Sequence, residues 1–209
     1  MSEHDVLASR CREIAERGVA LGGAGNVSIR VDDTVLITRA GLRLERATAA
    51  DMCTLTLDGE QLSGARPSSE TGLHLGIYRR SEARAIVHTH SRVSVAVGLV
   101  LDELPRVHYN IRRLGGRVPT VPYYVFGSAE LADAVSDQVA AGHASVLMRN
   151  HGSVSCAGSL AEAIEFTEMT DWLCDVYLTA RQLGEPSVLS ADQLDEVAAQ
   201  AAQFNYGSV

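Results

Sequence analysis

Three histidines and one glutamate are the residues of this chain best suited to chemistry. In AIVHTHSRV, residues 85–93, His88 and His90 stand one residue apart at the end of an apolar run. Successive side chains on a strand point to opposite faces, so both rings leave the same face with their backbones about 6–7 Å apart, a bite that fits a metal ion. Neutral imidazole is the commonest side-chain ligand for zinc, and a catalytic zinc takes three protein ligands and keeps one position open. His151, in RNHGSV after the apolar SVLM, is the candidate third donor. There Gly152 permits a sharp turn and Asn150 can orient backbone and ring by hydrogen bonding. Each motif also has an ordinary structural reading, His-x-His as a polar pair and Asn-His-Gly as a plain hairpin turn. His4, close to the first residue, and His143, after Gly142, read as solvated.

Glu70 lies in RPSSETGLH, at the first turn of a helix that the sequence starts after Pro67, with Ser68 and Ser69 before it and His74 one turn later. A glutamate there ordinarily caps the helix or complements its dipole. If the helix start faces a metal, Glu70 becomes a general base whose neighbours set its pKa. The same helix start offers free backbone N–H groups and hydroxyls, an anion seat. GGAGNVSIR, residues 22–30, adds a second one: its glycines let main-chain amides approach a phosphate, and Asn26 and Ser28 can donate. It has neither GxGxxG nor GxxxxGK[ST] spacing, which leaves dinucleotide and P-loop readings without support.

The elements that must position these residues follow from periodicity. Val6, Leu7, Cys11, Ile14 and Val19 form a helical stripe over 3–20 that stops at Gly22 and Gly23. VSIRV and TVLIT, parted by Asp32 and Asp33, read as a hairpin, and TLTL and EQLS across Asp58 and Gly59 as another. A helix runs from Ser68 or Ser69 to about Arg80, strands follow at ARAIVHTH and SVLMRN, and an amphipathic helix starts at Ser128 between them. Helices over 159–183 and 190–205 close the sequence. Hairpins mixed with crossovers predict an α/β fold, a mixed or antiparallel sheet covered by helices.

Composition bounds the function. The 209 residues carry no linker or repeat and read as one domain, 1–209. Four scattered cysteines, with no CxxC pair, argue against a disulfide framework and a cysteine zinc knuckle, and fit a reducing cytoplasm. No apolar stretch approaches the roughly 20 residues of a membrane span, and no segment reads as a secretory leader. A net charge of −8 disfavours nucleic-acid binding, so an anion must be held by a local arrangement.

GNVSIR, ITRAGL, PSSE followed by a helical His, HTH, and NHG before a long helix occur here in one order. In that order, over nearly the whole chain, they resemble the class II aldolase/adducin family. PRVHY before GG, VPYYVFG and FNYG are similar to its aldolase members. The resemblance implies a single α/β domain around a central, mainly antiparallel sheet, in a cyclic homotetramer with sites at subunit boundaries. It implies Zn2+ held by His88, His90 and His151, with Glu70 as the acid/base. Asn26, Ser68, Ser69 and the backbone around Gly41 would cradle a substrate phosphate. Tyr109, reaching in from a neighbouring subunit, would donate a proton on the aldehyde side, and Phe126 and Tyr206 would shape the aldehyde pocket. The implied reaction is reversible cleavage of a 1-phosphoketose, L-fuculose 1-phosphate or a similar sugar, to dihydroxyacetone phosphate and an aldehyde. Gly23 and Ala40 depart from the family by replacing threonines near the phosphate; Arg39, Arg112 or Arg113 are candidates to compensate. Family alternatives are a sugar-phosphate 4-epimerase, which carries Asp in place of Glu70, and a dehydratase or decarboxylase. A non-catalytic interaction module of the adducin kind lacks the metal ligands found here.

Overall fold

In the computed structural model, which describes residues 2–19 and 23–204, VSIRV and TVLIT form the expected hairpin, β1 (Asn26–Val31) and β2 (Thr34–Thr38). Asp32 turns it in the left-handed region that short polar side chains tolerate, φ 51°. β3 (Met52–Thr56) and β4 (Gln61–Ser63) form the second hairpin, with a bulge between Thr54 and Leu55. Among the described residues the sheet is completed by β5 (Ala85–Thr89), β6 (Thr120–Val121), β7 (Ser145–Met148) and β8 (Gly152–Ala157), in the order β4-β3-β2-β1-β5-β8-β7-β6. Every pairing is antiparallel except β6 with β7, so the sheet is mixed and mainly antiparallel, as expected.

Two apolar layers sandwich this sheet. On one side, α1 (Glu3–Glu16) and α5 (Leu160–Leu183) bury Leu7, Cys11, Ile14, Ile164 and Leu173 against Val27, Ile29, Ala85 and Val87, with α3 (Arg92–Val100) and α6 (Ala191–Gln203) adding Val97 and Leu194. On the other, α2 (Thr71–Arg80) and α4 (Ala129–Ala140) bury Leu73, Ile77, Leu131 and Val135 against Val35, Ile37, Ile86 and Val154. Strand parity therefore assigns faces: Val27 and Val87 look toward α1 and α5, while Asn26, Ser28, Ile86 and His88 look toward α2.

Serine caps start the helices where the sequence expects them, Ser128 for α4, Ser159 for α5 and Ser190 for α6. Three expectations are corrected. The first helix ends at Glu16 rather than at 20, and Gly22 of its expected stop lies outside the described residues. The helix after Pro67 begins at Thr71, because Ser68 closes a turn instead: its carbonyl accepts from the Thr71 hydroxyl (2.6 Å) and amide (3.1 Å). Segments 92–100 and 152–157, passed over in the sequence, are α3 and β8.

Candidate active site and metal centre

His88 sits on β5, in the middle of the sheet, and His90 follows one residue past its end, so that both rings reach the α2 side. His151 arrives from the β7–β8 hairpin, whose turn places Asn150 at φ 58° and closes with the His151 amide on the Met148 carbonyl at 3.1 Å. Asn-His-Gly is thus a hairpin turn and a member of the cluster at once. Gly152 allows the approach: a Cβ there would lie 2.2 Å from the Thr89 carbonyl oxygen. Gly25 does the same for the loop before β1, where a Cβ would meet the His88 carbonyl oxygen at 2.5 Å and φ is +97°.

The rings converge pairwise, with centroids 4.7 Å (His88–His90), 5.0 Å (His88–His151) and 4.8 Å (His90–His151) apart. Glu70 joins them. It occupies the N-cap position of α2 but makes no side-chain cap; its Oε2 lies 2.8 Å from His88 Nε2, and its Oε1 3.5 Å from His151 Nε2. At that distance the His151 contact is electrostatic, and the buried Oε1 has no hydrogen-bond partner. The donor atoms of these four residues all lie within 4.8 Å of one another.

Hydrogen-bond direction indicates what the cluster is built to hold. His88 Nδ1 is 2.9 Å from the Ser153 carbonyl oxygen, which can only accept, so the ring's proton sits on Nδ1 and its Nε2 lone pair faces inward. That lone pair meets the Glu70 carboxylate at 2.8 Å and His90 Nε2 at 2.8 Å. Electron-rich atoms converging this closely call for a cation between them, and a backbone carbonyl on the far ring nitrogen is the usual support for a metal-binding histidine. Burial, reinforced by the neighbouring His88 and His151, lowers His90 to about 4, so it too offers a lone pair at neutral pH. Burial pushes the Glu70 carboxyl up; positive charge in the cluster, whether protons on His151 and His88 or a metal ion in their place, outweighs burial and holds the carboxyl below its usual range. The residues present fit a divalent metal.

Glu70, His90 and His151, with His88 buried behind them, bound a cavity of about 310 Å³ lined also by Gly23, Asn26, Arg39, Gly41, Ser68 and Ser69, with Tyr123, Tyr124 and Phe126 on its wall. Of the sequence-expected residues, Asn26, Gly41, Ser68, Ser69 and Phe126 meet here. Ser28 does not: it is fully buried behind the cavity, its Oγ 2.6 Å from His74 Nδ1 and 2.7 Å from the Tyr78 hydroxyl, so its expected part in phosphate binding is corrected. Tyr109 is exposed and stacks on His108 at 4.3 Å, outside this cavity. Tyr206 lies outside the described residues. Of the three candidate arginines, Arg39 lines the cavity; Arg112 lies 3.8 Å from Asp195, and Arg113 pairs with Glu165. His4 and His143 are half-buried rather than solvated.

Sequence reasoning missed His74 as a participant. Its Nε2 is 2.5 Å from Asn26 Oδ1, and it is wholly buried. The signal was its place four residues before Tyr78, which puts both on the sheet-facing side of α2.

An α/β domain gathering three histidines and a glutamate, able to hold a metal ion, beside a sugar-sized cavity defines a class of metal-centred enzyme. Residues 5–178 match the Class II Aldolase and Adducin N-terminal domain family, and the chain belongs to it. It is a lyase of the class II aldolase type. It is 34% identical over 200 residues to a 5-deoxy-D-ribulose 1-phosphate aldolase of Bacillus thuringiensis serovar kurstaki, covering 94% of this chain and 93% of that one. It is also 34% identical to a 3-oxo-tetronate 4-phosphate decarboxylase of Haemophilus influenzae, over 86% of this chain and 88% of the relative. The solved structure of an L-fuculose 1-phosphate aldolase superposes with a TM-score of 0.88 at 26% identity, covering 98% of this chain and all of the other.

Proposed function

We propose that the chain is a zinc-dependent aldolase that reversibly cleaves a 1-phosphoketose, L-fuculose 1-phosphate or a 5-deoxypentulose 1-phosphate, to dihydroxyacetone phosphate and an aldehyde. The observation that carries this reading is the Glu70 carboxylate, buried beside three imidazoles at the floor of the cavity. His88, His90 and His151 would hold the ion through their ring nitrogens, the ligand number of a catalytic rather than a structural zinc. When bound, the ion supplies Lewis-acid stabilisation of the charge that develops on the ketone and hydroxyl oxygens as the carbon–carbon bond breaks.

The chain's own residues do the rest. The substrate phosphate sits against Asn26, Ser68, Ser69 and the Gly41 backbone, and orients the scissile bond. Arg39, on the same wall, supplies the positive charge that offsets the missing threonine hydroxyls at Gly23 and Ala40. In the synthesis direction the ionised Glu70 takes a proton from the hydroxymethyl carbon of dihydroxyacetone phosphate, and Tyr109 of a neighbouring subunit donates its phenol proton to the aldehyde oxygen as the carbon–carbon bond forms; a proton relayed through solvent returns from Glu70 to the tyrosinate, and cleavage runs the same transfers in reverse. Phe126 borders the aldehyde. We read residues 1–209 as one domain of a cytoplasmic homotetramer; among the described residues no helix is long and apolar enough to cross a membrane.

A screen of 1-phosphoketoses with and without chelator, following dihydroxyacetone phosphate, epimer and carbon dioxide, tests the proposal. Metal-dependent release of dihydroxyacetone phosphate supports it. The similarity to a decarboxylase favours a second reading, in which a 3-oxo acid phosphate loses carbon dioxide at the same site; carbon dioxide without triose would select it. Epimer formation alone would select neither.

A further inference from the structure

Behind Glu70 runs a buried row of polar groups that proton transfer does not itself require. The Tyr78 hydroxyl is 2.7 Å from Ser28 Oγ, which is 2.6 Å from His74 Nδ1; His74 Nε2 is 2.5 Å from Asn26 Oδ1, and Asn26 Nδ2 is 3.5 Å from Glu70 Oε2. Ser28, His74 and Tyr78 are at most 1% exposed, Asn26 and Glu70 5%. The direction of every bond is determined. An ionised carboxylate only accepts, so Asn26 turns its N–H edge to Glu70 and its carbonyl to His74. His74 must then donate from Nε2. Burial, with the nearby His88, lowers it to about 3, so it is neutral and carries that one proton alone. Its Nδ1 accepts from Ser28, and Ser28 accepts from Tyr78. The three short hydrogen bonds therefore point the same way, and the longer Asn26 contact at 3.5 Å carries the N–H dipole on toward the carboxylate.

We propose that Tyr78, Ser28 and His74 form a positioning chain that locks the Asn26 amide with its N–H edge toward Glu70 and the phosphate seat. Without the His74 donor the amide is free to turn its oxygen toward the carboxylate and the substrate anion, both of which repel it. His74 thus acts on turnover through Asn26, touching neither substrate nor metal donors. This deepens, and rests on, the acid/base role proposed for Glu70.

The test is a double-mutant cycle on the zinc-loaded enzyme. His74→Phe is expected to lower kcat by about 10–100-fold, the loss typical of removing a group that orients a site residue, with zinc per chain unchanged. His74→Gln, which can donate to Asn26 and accept from Ser28, recovers most of the rate. In an Asn26→Ala background His74→Phe costs nothing further, whereas a merely structural role would subtract the same factor again. Wild-type kcat in His74→Phe, or an undiminished penalty on Asn26→Ala, overturns the chain. Should His74→Phe fail to fold, Ser28→Ala replaces it in the same cycle. Glu70→Gln separates the two claims: if it is inactive while His74→Phe is unimpaired, only the chain fails, and if it turns over normally both do.

Discussion

Asn26 and His88 stand opposite each other in the β1–β5 register, and both side chains face α2. One points at Glu70 through its amide N–H and the other through its imidazole, so a single pair of adjacent strands presents the proposed anion-binding group and the proposed metal-binding group to the same carboxylate. Neither residue could shift by one position without turning to the opposite layer, since strand side chains alternate.

Metal content follows first. Purified protein should carry about one zinc per chain, as a three-histidine site with an open position requires. Chelation should abolish ketose-phosphate cleavage while the circular dichroism of the folded protein persists, and zinc should restore the rate. Full activity in protein shown to be metal-free by elemental analysis would falsify the mechanism.

Glu70→Gln preserves the shape of the side chain and removes its proton chemistry. Turnover should fall by about 10²–10⁴-fold, the range for losing a general acid/base, while zinc per chain stays at the wild-type value. Loss of the metal together with the activity would instead make Glu70 a ligand.

Arg39 lines the cavity while its Nε pairs with Asp51 at 2.6 Å and its Nη1 donates to the Ala40 carbonyl at 3.1 Å. Arg39→Met should raise KM for the phosphorylated ketose by about tenfold, a single charge-assisted contact, with little change in kcat. The ion pair is partly exposed, so stability should fall by no more than about 1 kcal/mol. An unchanged KM would remove Arg39 from phosphate binding.

Gly25→Ala puts a methyl 2.5 Å from the His88 carbonyl oxygen at a backbone φ of +97°. It should destabilise the fold by about 1–3 kcal/mol, and weaken zinc binding because β5 must move. Wild-type melting temperature and zinc affinity would show that the loop adjusts without touching β5.

His74 is buried neutral, lowered from an ordinary 6.5 to about 3. The unfolded chain therefore binds a proton that the folded protein refuses between these values. Stability that is full above pH 6.5 declines as pH falls toward 3, by at most about 1.4 kcal/mol per pH unit from this group. His74→Gln removes that proton, so in urea unfolding its stability curve should be flatter than the wild type between pH 6.5 and 4. Parallel curves would place the proton elsewhere.

Local rules sufficed for much of this. The facing of His88 and His90 followed from strand parity, the hairpins from Asp32 and Asp58–Gly59, and the starts of α4, α5 and α6 from their serines. RVSVAVGLV and GSVSCA did not yield to the same rules. The first is rich in β-branched residues yet is a helix, packed against α5; the second has small, weakly strand-forming residues yet pairs on both sides, with β5 and β7. Tertiary packing overrode propensity in both.

By itself the sequence determined which residue types were available and which face of its own element each would occupy, because helical and strand periodicity are local properties of the backbone. Only the tertiary structure decided that His151 reaches the β5 histidines, that Glu70 turns inward instead of capping α2, and that Ser28 serves His74 rather than the cavity. Those outcomes depend on strand order and register between segments tens of residues apart, where a close approach such as Gly152 on Thr89 is set by the pairing of β8 with β5 and not by either segment alone.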